Sequence, residues 1–214
     1  MKHLTSVILF ILLSGQMVWG QEDEKAAGIL ERMAKKYQQI EAFSADFSQS
    51  MINEQEGINE SFTGKGIIKK NKYKIEVAGR TLYNNGREIW TYSPDDEEVT
   101  ISPVSDEEEI DPTFIFSNYK KDFKFRYLGE TRLRGKMLQK VALFPRKPEG
   151  NSFFKIEVEI QKKNNEVLSF TSFDREGNKF RYLISNFKIL DQVPDQTFEF
   201  DENKYPDVEI VDLR

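Results

Sequence analysis

Leu30, Met33, Tyr37 and Ile40 recur at spacings of three and four between residues 23 and 40, which predicts one amphipathic helix with a single apolar stripe. At Phe43 the period drops to two. Phe43, Ala45, Phe47, Gln49 and Met51 alternate with Ser44, Asp46, Ser48 and Ser50, the pattern of a half-buried strand. Strand patterns then recur at short intervals over residues 64–70, 73–77, 81–83, 88–92, 99–101, 123–128, 138–144, 154–161, 167–174, 180–187 and 208–213. Turn residues separate them, as in Asn84-Asn85-Gly86, Ser93-Pro94-Asp95-Asp96 and Asp174-Arg175-Glu176-Gly177. The clearest alternation sets Phe154, Ile156, Val158 and Ile160 against Lys155, Glu157, Glu159 and Gln161, one dry face and one wet. Many short strands with tight connections predict an antiparallel meander or barrel. No linker and no repeat of solenoid length interrupts the chain, so one domain is expected.

One stretch breaks the alternation. After the acidic run from Asp106 to Asp111, Pro112 is placed to open a short helix, and Phe114, Ile115, Phe116 and Tyr119 give it more apolar surface than one buried stripe needs. Two readings stand: a helix that plugs the core on the open side of a curved sheet, and a lid over an apolar cavity. The acidic run reads as a solvated loop, because the EF-hand calcium pattern is absent.

The N-terminus has its own logic. Lys2 and His3 precede an apolar run from Val7 to Leu13, and Val18-Trp19-Gly20 offers a small-residue exit before Gln21, the layout of a secretory signal peptide cleaved after Gly20; the competing reading is an uncleaved anchor, for which the apolar stretch is short. The expected mature domain is residues 21–214. Removing the leader lowers the basic count from 31 to 30 against 36 acidic side chains, takes away the only His, and leaves Trp90 as the only Trp. There is no Cys in the chain.

These absences exclude several chemistries. Without Cys there are no disulfides, thiolate zinc sites, iron–sulfur clusters or thiol nucleophiles. Without His in the mature chain, the usual general base and metal ligand are missing, and a His-containing triad is excluded. No GxxxxGK[ST] or GxGxxG phosphate loop is present, and neither a cofactor nor a metal is expected. A negative balance argues against nucleic acid and against permanent adhesion to an anionic bilayer. Carboxylates are plentiful enough for a facing acid pair, but nothing in the sequence singles one out. What remains is an aromatic-rich chain, 13% Phe, Trp and Tyr, with few reactive groups.

Phe43-Ser44-Ala45-Asp46-Phe47-Ser48-Gln49, directly after an amphipathic helix, resembles the opening of the LolA family, periplasmic carriers of outer-membrane lipoproteins. Gly86-Arg87-Glu88-Ile89-Trp90-Thr91-Tyr92-Ser93-Pro94, followed by Glu98-Val99-Thr100, is similar to that family's central strand and turn, with Glu98 where Gln is usual. Leu143-Phe144-Pro145-Arg146, the strand from Phe154, the turn at Asp174 to Gly177, and Phe198-Glu199-Phe200 before Asp207-Val208 follow in the family's order, so the resemblance spans residues 27–213.

The resemblance implies a mainly β fold: an unclosed, strongly curved antiparallel half-barrel, with an N-terminal helix and short lid helices over a hydrophobic cavity for acyl chains. It implies acylated lipoproteins as cargo, loading from an inner-membrane ABC lipoprotein exporter, and delivery to the outer membrane, with an outer-membrane receptor as a further candidate partner. A periplasmic, non-enzymatic monomer is expected. On this reading the cavity candidates are Phe43, Phe47, Ile68, Tyr73, Ile75, Trp90, Phe114, Ile115, Phe116, Phe154, Ile156 and Val158. Trp90 shares parity with Glu88 and Tyr92, so a structural wedge is the competing reading of that residue. In the family, an inward Arg in a Lys-Arg-Pro sequence holds the lid shut. Here the matching stretch is Ile68-Lys69-Lys70-Asn71, which puts Lys70 at the Arg position, on the inner face if the strand from Gly64 stays regular. A Lys is a point donor rather than a planar fork, and an ordinary rim lysine is the competing reading. Two other functions compete: a lipid-sensing regulatory module on the same half-barrel, and a carboxylate-based envelope hydrolase with two facing acids of perturbed pKa.

Overall fold

The computed structural model describes residues 23–104, 119–149 and 151–214. Asp23 caps the first helix, α1 (Glu24–Gln38), by accepting a hydrogen bond from the Ala26 N–H at 3.0 Å. Glu24 in its first turn and Lys35 and Lys36 in its last complement the helix dipole. Ala26, Ile29, Leu30, Met33, Ala34 and Tyr37 form its buried stripe. Ile40 lies just past the helix end, yet still packs against the same core.

Twelve strands follow among the described residues: β1 (Ala42–Asn53), β2 (Ile58–Lys69), β3 (Lys72–Val77), β4 (Arg80–Asn84), β5 (Glu88–Ser93), β6 (Glu98–Pro103), β7 (Phe123–Leu133), β8 (Lys136–Pro145), β9 (Phe153–Gln161), β10 (Val167–Asp174), β11 (Lys179–Leu190) and β12 (Glu209–Asp212). They form one sheet in the order β12-β6-β5-β4-β3-β2-β1-β11-β10-β9-β8-β7. Neighbours are antiparallel except β12, which runs parallel to β6. Since β12 and β7 end the order without pairing, the sheet is unclosed, as expected. A short helix, α2 (Tyr119–Asp122), leads into β7. Phe114, Ile115 and Phe116, the centre of the expected lid helix, lie outside the described residues.

Directly opposed residues on paired strands project to the same face. The register therefore assigns two faces. Phe43, Ile68, Tyr73, Asn84 and Ile89 form one cross-strand row on the face that carries α1, since Phe43 meets Tyr37 of α1 edge-on at 5.7 Å. Gly66, Ile75, Leu82 and Thr91 form the next row on that face, and Phe47, Gly64, Val77 and Arg80 the one after. Ile67, Lys74, Tyr83, Trp90 and Ile101 belong to the opposite face.

Each half of the sheet is covered on a different face. Over β7–β11, α1 packs its stripe onto Phe125, Val141, Leu143, Ile156, Val158, Ile160 and Phe170. Over β4–β6, the cover is the chain after β11, on the other face. There Phe200, Tyr205 and Val208 pack on Tyr83, Trp90, Tyr92, Val99 and Ile101. Lys69 ties this segment down, donating to the Val193 carbonyl at 2.8 Å and to Asp195 at 2.9 Å, while Lys72 reaches the other Asp195 oxygen at 2.8 Å. Hydrogen bonds from Lys72 and Lys69 hold the Asp195 carboxyl down at about 2.

The register corrects one strand assignment. Between β9 and β10, Phe173 pairs with Lys155 but Asp174 pairs with Phe153, so Phe154 is the extra residue of a β-bulge. The bulge turns Phe153 inward, stacked on Phe123 with ring centroids 6.3 Å apart, and leaves Phe154 43% exposed. Phe154 is therefore not part of the dry face that Ile156, Val158 and Ile160 form.

Candidate functional site

The α1 face is continuous, but α1 covers only part of it. Ile156 and Val158 are fully buried beneath the helix, so they serve the packed core rather than an accessible surface. Phe43 sits at the margin of that core, with Tyr37 on one side and Phe187 5.0 Å away on the other. Beyond it, Ile68, Ile75, Leu82 and Ile89 continue the apolar face across β2–β5 while remaining only half-buried, and they belong to neither core cluster. Tyr73 and Asn84 on the same face are buried. The family resemblance had pointed to Ile68, Tyr73 and Ile75. It missed Leu82, Ile89 and Val77, which only the cross-strand register brings beside them.

The helix is pinned at both ends. At its start, the second oxygen of Asp23 accepts from the Tyr127 N–H at 2.8 Å, and Lys25 lies 3.8 Å from the centre of the Tyr127 ring. Those N–H groups, Tyr127 first and Ala26 second, hold the Asp23 carboxyl below its ordinary value of 3.8. At its end, the Tyr37 hydroxyl accepts from the Val167 N–H at 3.1 Å, and Lys36 pairs with Glu166 at 3.3 Å. Burial pushes the Tyr37 phenol up, so it stays neutral. Fixed in this way, α1 acts as a wall of the site and not as its door.

At the lower end of the Phe47–Gly64–Val77–Arg80 row an open groove of about 700 Å3 begins, also lined by Asp46, Lys65, Glu76 and Leu183 and by Arg134 from the β7–β8 turn. On a flat sheet, β3 and β8 would lie about 30 Å apart, at about 4.8 Å per strand. That the β3–β4 and β7–β8 turns reach one groove shows how strongly the sheet curves. The volume falls within the range of small-ligand pockets. Of the candidates drawn from the sequence that fall among the described residues, Phe47 alone lines it. The Phe47 ring lies where a Cβ on Gly64 would project, and the Glu76 carbonyl oxygen is 2.6 Å from that position, so only glycine fits under the ring.

Both acids of the groove are engaged by neighbouring side chains. Asp46 accepts from Asn186 at 2.6 Å. Partial burial disfavours the charge on Glu76, but its bonds to Lys65 and Lys74 outweigh that and lower its pKa. Among the described residues, every carboxyl with a resolved shift moves downward, and none is held neutral as a general acid would be. No cluster of metal ligands occurs among the described residues.

Two further candidates stand elsewhere. Trp90 is 8% exposed on the face opposite Ile75, in the cluster that Phe200 of the C-terminal segment joins, so it is a wedge there and not a wall of the α1-side surface. Its parity with Tyr92 was the signal in the sequence. Lys70 lies outside β2, which ends at Lys69, and occupies an exposed turn with φ of 56°. Its parity with Ile68 is broken by that turn, so strand alternation no longer assigns it to the inner face.

The family model for the outer membrane lipoprotein carrier protein LolA matches residues 38–201, most of the chain. The chain belongs to the LolA family. Outer-membrane lipoprotein carrier proteins similar to it include one from Idiomarina loihiensis, 23% identical with 94% of each chain covered, and one from Actinobacillus succinogenes, 24% identical with 93% of this chain and 90% of that one covered. A solved structure of an uncharacterized conserved protein from Thermus thermophilus shares the fold with a TM-score of 0.58 at 18% identity, covering 88% of this chain and 99% of that one. The LolA family model and the relatives' carrier names indicate a non-enzymatic carrier.

Proposed function

We propose that this protein is a periplasmic carrier that shelters the acyl chains of lipoproteins released from the inner membrane and delivers them to the outer membrane. One observation carries the reading: Ile68, Ile75, Leu82 and Ile89 extend the α1-side apolar face as a half-buried strip outside both cores. Each CH2 exposed to water costs about 0.8 kcal/mol, so sheltering one long acyl chain is worth on the order of 10 kcal/mol. A strip of branched aliphatic side chains supplies that shelter without any reactive group, and Phe47 and the groove beside Gly64 extend it. The relatives' carrier names and the signal-peptide pattern of residues 1–20 support the same reading. An ATP-driven exporter would supply the energy for loading, and a more apolar acceptor at the outer membrane would drive unloading.

Native mass spectrometry of the protein purified from the periplasm tests the proposal. A co-purified acylated species is expected, together with retention of lipoproteins in the inner membrane on depletion. Protein that carries no acyl chain, and whose depletion leaves lipoprotein sorting intact, would refute it.

A further inference from the structure

The outer face of the α1-covered half carries a pattern that acyl shelter does not explain. Lys124 on β7 stands opposite Phe144 on β8, and Phe173 on β10 stands opposite Lys155 on β9 and Lys179 on β11. The last printed pair of β8 and β9 is Leu143 with Ile156, and extending that register by one residue sets Phe144 beside Lys155. The result is a row across five strands that reads Lys-Phe-Lys-Phe-Lys on the face turned away from the helix. Lys155 lies 3.8 Å from the centre of the Phe173 ring. The β9 bulge adds Phe154 to this face, 6.4 Å from Phe173 between ring centroids. A bulge re-aims a side chain at the expense of regular pairing, and here it moves a large aromatic ring out of a core and into water.

Charge sets this surface apart from the rest of an acidic protein with a formal net charge of -5. Lys155 and Lys179 have acidic partners, Glu157 at 2.9 Å and Glu54 at 2.6 Å. Lys124 is exposed with no acidic partner among the described residues, and so are Lys120 and Lys121 of α2 and Lys147. These lie at the same end of the sheet, where the Arg146 N–H bonds the Asp122 carbonyl at 2.8 Å.

We propose that this stripe is a docking surface for anionic lipid bilayers. Phe154 would enter the headgroup interface while the surrounding lysines meet lipid phosphates. The acidic remainder of the molecule keeps the contact weak and sets its orientation, so the surface recruits the protein transiently. The proposal is independent of what the α1-side face carries.

The test is co-sedimentation of the full mature chain with vesicles of phosphatidylglycerol and phosphatidylcholine, against phosphatidylcholine alone, at low and high salt. Binding to the anionic vesicles at low salt and release at high salt are expected. Removing one lysine near a bilayer weakens partitioning about fivefold, so Lys124→Glu lowers it by at least that factor. Phe154→Ser lowers it as well. Lys163→Glu, the same charge change in the exposed β9–β10 turn at the far end of β9, leaves it unchanged. All three sites are exposed, and unaltered thermal unfolding of each variant checks that the fold is kept. The proposal is overturned by no binding to anionic vesicles, by equal binding to neutral ones, by an equal loss from Lys163→Glu, or by capture of polyglutamate without vesicle binding, which would assign the stripe to an acidic polypeptide.

Discussion

Val158 and Ile75 occupy the same face of the same sheet, yet they live in different environments. Val158, on β9, has no exposed surface beneath α1, while Ile75, on β3, is half-buried and outside both cores. Both follow the same strand alternation, so the difference comes from the cover. One 15-residue helix, pinned at Asp23 and at Tyr37, is enough to seal β7–β11 and leaves the β2–β5 surface bare of it. On that second half, the C-terminal segment that could have sealed the same face instead packs on the opposite one, held by Lys69 and Lys72. A stable core and a receptive apolar surface are thus made from one pattern by placing two covers on opposite sides.

The largest expected contrast is in stability. Leu30→Ala removes a fully buried side chain between α1 and the sheet and is expected to cost about 2–5 kcal/mol, whereas Ile75→Ala is expected to cost about 1 kcal/mol. Urea denaturation at matched conditions measures both, and equal losses would erase the distinction between the halves. At the border between them, Gly64→Ala forces a Cβ into the Phe47 ring and the Glu76 carbonyl, at an expected cost of about 1–3 kcal/mol. Phe47→Ala in the same chain should recover part of that loss, because it clears one of the two obstacles.

A smaller effect probes how α1 is pinned. The folded pKa of Asp23 is depressed below 3.8, so its carboxylate contributes stability that is fully present above that value and is lost as pH falls through the lower folded one. Asp23→Ala is therefore expected to cost about 0.5–2 kcal/mol at neutral pH. The difference from wild type should narrow below about pH 4, since protonation then weakens the same contacts in the wild type. Thermal unfolding across pH checks this, and a pH-independent gap would show that the charge is not involved.

Alternation made most of this fold legible. Helix α1 and strands β1 and β3–β12 were marked by period and by the turn residues between them, and Gly64, Gly66 and Ile68 share the parity of one face of β2. The first half of β2, from Ile58 to Thr63, was invisible because almost every residue there is exposed and no dry face repeats. Bulges were equally silent. Nothing in the run from Phe153 marks where one extra residue shifts the register, and that single step exchanges Phe153 and Phe154 between core and solvent. Lys70 failed for a similar reason, because parity holds only while the strand lasts and β2 ends one residue earlier. Trp90 shows a different limit. Its parity could be read, but which face is the sheltered one depends on where the C-terminal segment returns, and a cluster that joins Trp90 to Phe200 spans too much sequence for local pattern to reveal.

Neighbouring residues on β3 allow the most direct test, since Lys74 and Ile75 point to opposite faces. A photo-crosslinking amino acid placed at each position in turn, in cells making lipoproteins, reports which face holds the acyl chain. Adducts of acylated lipoprotein at position 75 and none at position 74 are the predicted result. Adducts of equal yield at both positions, or at 74 alone, would contradict the assignment of the α1-side strip as the carrier surface.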